Sequence, residues 1–153
     1  MTAPDRALVR RKLATIMRNL GDLATVARLD LSAYRADRFR QKGTERLLQE
    51  TIEAAVDVNM HLARAAGVPA PNDYYGSFVL LGELGVVPPE LAAALAPAAG
   101  LRNRLVHEYD DLDDAVVLAA VAEAGRLFPR YVAAVEAAVG RTGDALGGIE
   151  ERA

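Results

Sequence analysis

The chain of 153 residues contains no cysteine. Disulfides, thiolate metal sites and cysteine nucleophiles are therefore excluded. Aromatic residues are scarce at 5%, although hydrophobic residues make up 52%. A core built mainly from small aliphatic side chains favours closely packed helices over a sheet, which draws on aromatic and β-branched residues. Excess positive charge is lacking as well. The net charge is −3 and the pI about 5.4, so the chain as a whole is no cationic nucleic-acid binder. Any phosphate binding must come from a local patch. There is no apolar run long enough to span a membrane. The first twenty residues interleave charge with apolar positions, where a signal peptide needs an uninterrupted stretch. A cytoplasmic location is the expectation.

The length suits one domain with a single core. Leu8, Leu13, Ile16, Leu20, Leu23 and Val26 place an apolar stripe on a helix from Asp5 to about Leu29, which Gly21 weakens and can bend. Leu29 to Ser32 reads as a break in which Asp30 or Ser32 can cap the next helix. A long central helix is predicted from Ala36 to about Ala66. Leu48, Ile52, Ala55, Asn59 and Leu62 share one stripe, and Glu50, Glu53, Asp57 and Arg64 another. Its early part holds the one basic cluster, Arg35, Arg38, Arg40, Lys42 and Arg46, diluted by Asp37 and Glu45. That cluster is either a solvated face or a contact for an RNA backbone.

A loop beginning at Gly67 ends the central helix, and a shorter helix is predicted from Tyr74 to Leu84, closed by Gly85. Pro88-Pro89-Glu90 opens a further helix, which Pro97 must kink or restart before it reaches about Glu108. The acidic run Asp110 to Asp114 suits the start of a final helix, from about Asp113 to Val139. Gly140 is expected to stop that helix, leaving 141–153 as a flexible tail. The fold class expected is all-α: a single-domain bundle of four to five helices over residues 1–140.

The residues that carry chemistry are Arg102-Asn103-Arg104-Leu105-Val106-His107-Glu108-Tyr109. They place a permanent cation, an amide, an imidazole and a phenol within eight positions at a helix end. Arginine offers a planar fork for a phosphate, and histidine moves a proton near neutral pH. These are parts for metal-independent phosphodiester cleavage, in which the RNA 2′-OH attacks its own phosphorus. At about 100° per residue, Arg102 and Tyr109 share a stripe, whereas His107 sits roughly 140° around from Arg102. Either the helix unwinds near His107, or the pocket is assembled across two subunits. Taken singly, each residue also has a plain structural use, because an arginine or histidine near a helix C-terminus answers the dipole.

The segment resembles the R-x4-H-x-Y motif of HepT proteins, a branch of the HEPN superfamily, and the resemblance spans about residues 5 to 140. It implies a homodimer whose two motifs face each other in a cleft. It also implies a toxin that cleaves RNA without a metal or other cofactor, paired with an MntA-like nucleotidyltransferase antitoxin. By this resemblance Arg102 binds the phosphate, His107 handles protons and Asn103 supports the pocket. The antitoxin silences the toxin by transferring AMP groups to Tyr109, adding bulk and negative charge that repel RNA. The alternative is a non-catalytic dimeric HEPN module that binds a nucleotide or only the nucleotidyltransferase. A plain helical scaffold is the third reading.

Other residues have less specific roles. His61 follows Asp57 by one helical turn, a spacing at which the two side chains can meet. The pair could assist the site or supply two ligands of a metal site, but a hydrogen-bonded pair at the helix surface or at a dimer contact is the expectation. Tyr74 and Tyr75 could stack on bases or pack on the bundle. Arg104 points away from Arg102 and could serve a phosphate or the acidic run.

Overall fold

The computed structural model describes the backbone of residues 1–107 and 111–150, and the side chains of these as far as Arg141. Among the described residues there are seven helices and no strand: α1 (Arg6–Ala27), α2 (Leu31–Arg35), α3 (Arg38–Ala65), α4 (Tyr74–Glu83), α5 (Pro89–Leu95), α6 (Ala98–His107) and α7 (Asp114–Glu150). None of them is long and apolar enough to cross a membrane.

Aspartate starts most of these helices. Asp5, Asp30, Asp37 and Asp73 each accept a hydrogen bond from the backbone N–H three residues on, at 2.6–3.1 Å. Each bond satisfies a donor that the first helical turn leaves unpaired. Two of these caps explain why the count exceeds the four to five expected. Asp30 and Asp37 lie seven residues apart and both cap, so the break between the first two long helices is itself a short helix. Pro97 adds another by restarting the chain rather than kinking it, with α5 ending at Leu95 and α6 beginning at Ala98.

Glycine ends two helices. Gly67 and Gly85 take φ of +76° and +74°, the left-handed conformation that spares only glycine a Cβ clash. The flanking bonds Val68 N–H to Ala63 O and Val86 N–H to Leu81 O complete both caps. Gly140 behaves differently. Its φ is not positive, and α7 runs on to Glu150, which corrects the expected stop. A lone helical glycine costs about 1 kcal/mol relative to alanine, too little to end a helix whose neighbours are alanine and valine. Pro129 also lies inside α7. The lost N–H donor is offset by burial on both sides of it, at Leu127, Phe128, Tyr131 and Val132.

The core fills the space between α3 and the helices around it. Ile16, Leu23, Leu48, Ile52, Val58, Phe78, Leu81, Leu91 and Tyr131 are all at most 1% exposed. Helix α1 runs antiparallel along α3, and three contacts fix the register. Asn19 reaches the Leu47 carbonyl, Lys12 meets Asp57, and the Asp5 N–H donates to His61. Helix α7 packs on α1, α2 and α5, while α4 and α6 lie against α3. Gly82 permits the tight α4–α5 contact, because a Cβ there would sit 2.8 Å from the Ala92 methyl carbon.

A chain of hydrogen bonds crosses this core. The Tyr131 hydroxyl lies 2.6 Å from Asn59 Oδ1 and 3.0 Å from the Ala55 carbonyl. Asn59 Nδ2 donates to Ser77 Oγ, and Ser77 donates to the Tyr74 carbonyl. Among the described residues the buried Tyr34 hydroxyl finds no such partner. Burial, then the charges of Glu45 and Asp114, pushes its phenol up to about 12 against the opposing pull of Thr44. Burial likewise holds the Tyr131 phenol well above the usual range.

The two phenols should differ in their worth to stability. Tyr131→Phe should lose about 1–3 kcal/mol, since it strands buried acceptors, whereas Tyr34→Phe should be neutral or stabilising. Urea melts of both variants check this. For pH, the folded pKa of each phenol lies above the unfolded value near 10. Each contribution is then complete below about pH 10; that of Tyr34 is lost as the pH rises from there through about 12, and that of Tyr131 as the pH rises through its own raised pKa. Melts between pH 8 and 12 should show that loss, reduced in Tyr131→Phe.

Candidate active site

Helix α6 carries the motif, and its local sequence explains how it is held. Ala99 and Leu105 are buried, and Ala98 and Leu101 pack against the core. This apolar stripe fixes the helix on α3 and α4. It leaves Asn103, Arg104 and His107 exposed at the other side and Arg102 at the boundary.

Arg102 is the best-anchored side chain of the motif. Its Nε donates to Glu53 Oε1 at 3.0 Å in an ion pair whose side chains are 21% and 31% exposed. Gln49 Nε2 donates to the same carboxylate oxygen at 3.1 Å and so fixes Glu53 in turn. The guanidinium carbon sits 4.9 Å from the centre of the Tyr74 ring, within the range of cation–π attraction. A weaker contact, 3.4 Å, joins Nη1 to Asn103 Oδ1. Glu53 and Tyr74 thus hold the inner part of the guanidinium, and Nη2 meets no partner among the described residues. That is the geometry of a cation clamped on one edge and offered to an anion on the other.

His107 is exposed at the last turn of α6, which is α-helical throughout Ala98–His107. The helix therefore does not unwind before His107, and regular geometry keeps the imidazole about 140° around from Arg102. Asn103 lies beside Arg102, as its contact requires. Arg104 faces the opposite way, on an apolar groove of about 540 Å³ between α6 and α7 that Leu48, Leu101, Ala120 and Phe128 help to line. Tyr109, with Glu108 and Asp110, lies outside the described residues.

Asp57 and His61 do not form the pair that their spacing allows. Asp57 holds Lys12 at 2.7 Å, and His61 Nε2 accepts the Asp5 backbone N–H at 2.8 Å. Both attach α1 to α3. The acidic run is partly committed as well. Asp113 accepts the Ala115 N–H, and Asp114 accepts from Arg35 and Gln41. No group of three or more His, Asp or Glu side chains placed to hold a metal ion occurs among the described residues. The residues that sequence reasoning passed over are Glu53 and Gln49. Their signal is a polar stripe along a central helix otherwise sunk in the core, but nothing in the sequence ties Glu53 to an arginine 49 residues away.

Comparison with known proteins places this geometry in a family. The chain is 37% identical over 132 residues to a tRNA nuclease HepT of Aphanizomenon flos-aquae, covering 86% of this chain and 90% of the relative. An mRNA nuclease HepT of Shewanella oneidensis is 28% identical over 130 residues, or 85% and 97% of the two chains. Among solved structures, a tri-AMPylated HEPN toxin of Shewanella oneidensis in complex with an MNT antitoxin superposes with a TM-score of 0.78 at 27% identity, covering 87% of this chain and 99% of that one. The family model described as ribonuclease HepT-like matches residues 16–135. The chain with Arg102 clamped on α3 and His107 at the end of α6 belongs to the ribonuclease HepT-like family.

Proposed function

We propose that the chain is the toxin of a toxin–antitoxin pair, a ribonuclease that cleaves RNA without a metal in a cleft formed by two copies of the chain. The observation that carries this reading is the Arg102 guanidinium, held at Nε by Glu53 and over Tyr74, with no partner at Nη2 among the described residues and an exposed imidazole five residues further along the same helix. The relatives named as nucleases of tRNA and of mRNA support it.

In this reading the 2′-OH attacks the adjacent phosphorus and the P–O5′ bond breaks, leaving a 2′,3′-cyclic phosphate and a 5′-OH. Arg102 neutralises charge on the phosphate oxygens as the phosphorus becomes five-coordinate. His107 of one copy takes the proton from the 2′-OH, and the imidazole of the second copy returns one to O5′. The 140° offset between Arg102 and His107 is what makes a second copy useful, since one straight helix does not converge both groups on one phosphate. Asn103, in contact with Arg102, steadies the guanidinium.

Tyr109, two residues beyond His107, is the proposed target of an MntA-like nucleotidyltransferase. The solved toxin that carries AMP groups in complex with its MNT antitoxin supports this. AMP there would add bulk and negative charge two residues from His107 and repel RNA. The test is purification of the chain alone and after co-expression with such a transferase. The protein alone should run as a dimer and degrade RNA, while the co-expressed protein should carry AMP mass on the peptide containing Tyr109 and leave RNA intact. A folded dimer that binds the transferase but never cuts RNA would establish the non-catalytic alternative instead.

A further inference from the structure

Beside the motif lies an open groove of about 400 Å³, with Arg38, Lys42, Glu45, Arg46 and Gln49 of α3 on one side and Leu105 and Val106 of α6 on the other, so its lining holds three cations and one carboxylate. Leu105 and Val106 immediately precede His107 on α6, so the groove adjoins the helical turn that carries the imidazole. Arg38, Lys42 and Arg46 recur every four residues and run along about 12 Å of helix. That length matches three to four stacked nucleotides at about 3.4 Å each. Arg38 has no ion-pair partner among the described residues. Lys42 pairs with Glu45 at 3.5 Å and Arg46 with Glu50 at 3.1 Å, and these cations are 47% and 63% exposed. Exposed pairs of this kind contribute little and yield readily to a phosphate.

A second observation concerns Phe39, which is 93% exposed in the first turn of α3 between Arg38 and Arg40. The position one turn on, where a side chain would cover the ring, is Gly43, with nothing within 4 Å of where its Cβ would be. Folding gains nothing from a phenyl ring in water. A nucleobase, in contrast, stacks on such a ring, and cations beside it hold the backbone.

We propose that this groove carries single-stranded RNA away from the cleavage site, and that the strand reaches Phe39, which lies outside the groove lining in the same first turn of α3 as Arg38: Arg38, Lys42 and Arg46 contact successive phosphates and Phe39 stacks a base. The inference rests on the ribonuclease reading above and adds the residues that hold substrate outside the reacting bond. It also gives a chain of net charge −3 a local basic stripe on this face of α3 that a polyanion can meet.

The test uses a fluorescein-labelled 20-nucleotide single-stranded RNA and the full chain carrying His107→Ala, so that binding is read without cutting. Adding Phe39→Ala should weaken the complex at least fivefold. Adding Arg38→Gln, Lys42→Gln and Arg46→Gln together should lower the slope of log Kd against log salt by about 2, at roughly 0.7 per single-strand phosphate contact. In the chain with His107 intact, the same changes should raise KM for RNA and leave kcat near its starting value. All four side chains are exposed, so melting temperatures should not move. Unchanged Kd, salt slope and KM in a chain that still cuts RNA would overturn the groove alone. Loss of nucleotidyltransferase binding with RNA affinity retained would also overturn it and make this face a protein contact. A parent chain that neither binds nor cuts RNA would overturn the ribonuclease reading together with the groove.

Discussion

His107→Ala is expected to lower the rate of RNA cleavage by about a hundredfold to ten-thousandfold, the usual contribution of a positioned proton donor or acceptor. The fold should survive, because the side chain is exposed at the end of α6 and fills no cavity. Arg102→Ala should cost about a hundredfold to a thousandfold, the loss typical of a group stabilising charge in the transition state. Arg102→Lys is the informative companion. It keeps the charge but has neither a second edge nor an Nε to reach Glu53 while a phosphate is bound, so it should rescue little. Initial rates on tRNA and on an mRNA fragment, beside circular dichroism of each variant, check all three. A His107→Ala protein that cuts at the parent rate would remove the imidazole from the mechanism.

The second large effect is expected at a residue that does not touch RNA in this account. Glu53 holds Arg102 Nε and is itself held by Gln49. Glu53→Ala frees the guanidinium to swing on its flexible stem. A displacement of about 1 Å at a catalytic group can cost about a hundredfold, so kcat should fall by tenfold to a hundredfold. KM should stay within about threefold, because Arg38, Lys42 and Arg46, the cations proposed to hold the strand, have no contact with Glu53. This split marks a positioning residue, since partial unfolding would lower activity by lowering the amount of active protein. Glu53→Gln retains an oxygen acceptor for Nε and should recover part of the loss. A rise in KM at constant kcat would assign Glu53 to substrate binding instead.

Much of the fold is legible in the sequence because its signals are local. Asp30 caps a helix where the sequence offers it, and Gly67 and Gly85 end helices through a backbone angle that other residues resist. The central stripe of Leu48, Ile52, Ala55, Asn59 and Leu62 is buried along its whole length. Local signals mislead where tertiary partners decide. Gly140 carries the same sequence signal as Gly85, yet the helix continues through it. Asn59 fits an apolar stripe by position, but it lies there because Tyr131 and Ser77 satisfy its amide. Asp57 and His61 look like a pair on one helix, while each answers a group on α1.

The motif is the part of the site that the sequence displays most openly, since Arg102 and His107 stand five residues apart. Its support is hidden. The Glu53–Arg102 contact joins two helices across 49 residues, and Tyr74 reaches the guanidinium from a third. The first turn of α4 is tied into the core, since Ser77 donates to the Tyr74 backbone carbonyl and accepts from Asn59, the partner of Tyr131 on α7. Such an arrangement becomes visible only when the bundle is assembled, because each partner is an ordinary helix residue in its own segment. The basic cluster shows the same limit. As sequence it is a charged helix face, and only the packing of α6 beside it turns that face into one wall of a groove.

The most direct test of the central claim is the chemistry of the RNA ends left by the purified chain in the presence of a strong chelator. Attack by the RNA's own 2′-OH, assisted by Arg102 and His107, requires products with a 2′,3′-cyclic phosphate and a 5′-OH, at a rate that chelation leaves unchanged. Uncut RNA, or products bearing a 3′-OH and a 5′-phosphate whose formation stops when metal is removed, would contradict it.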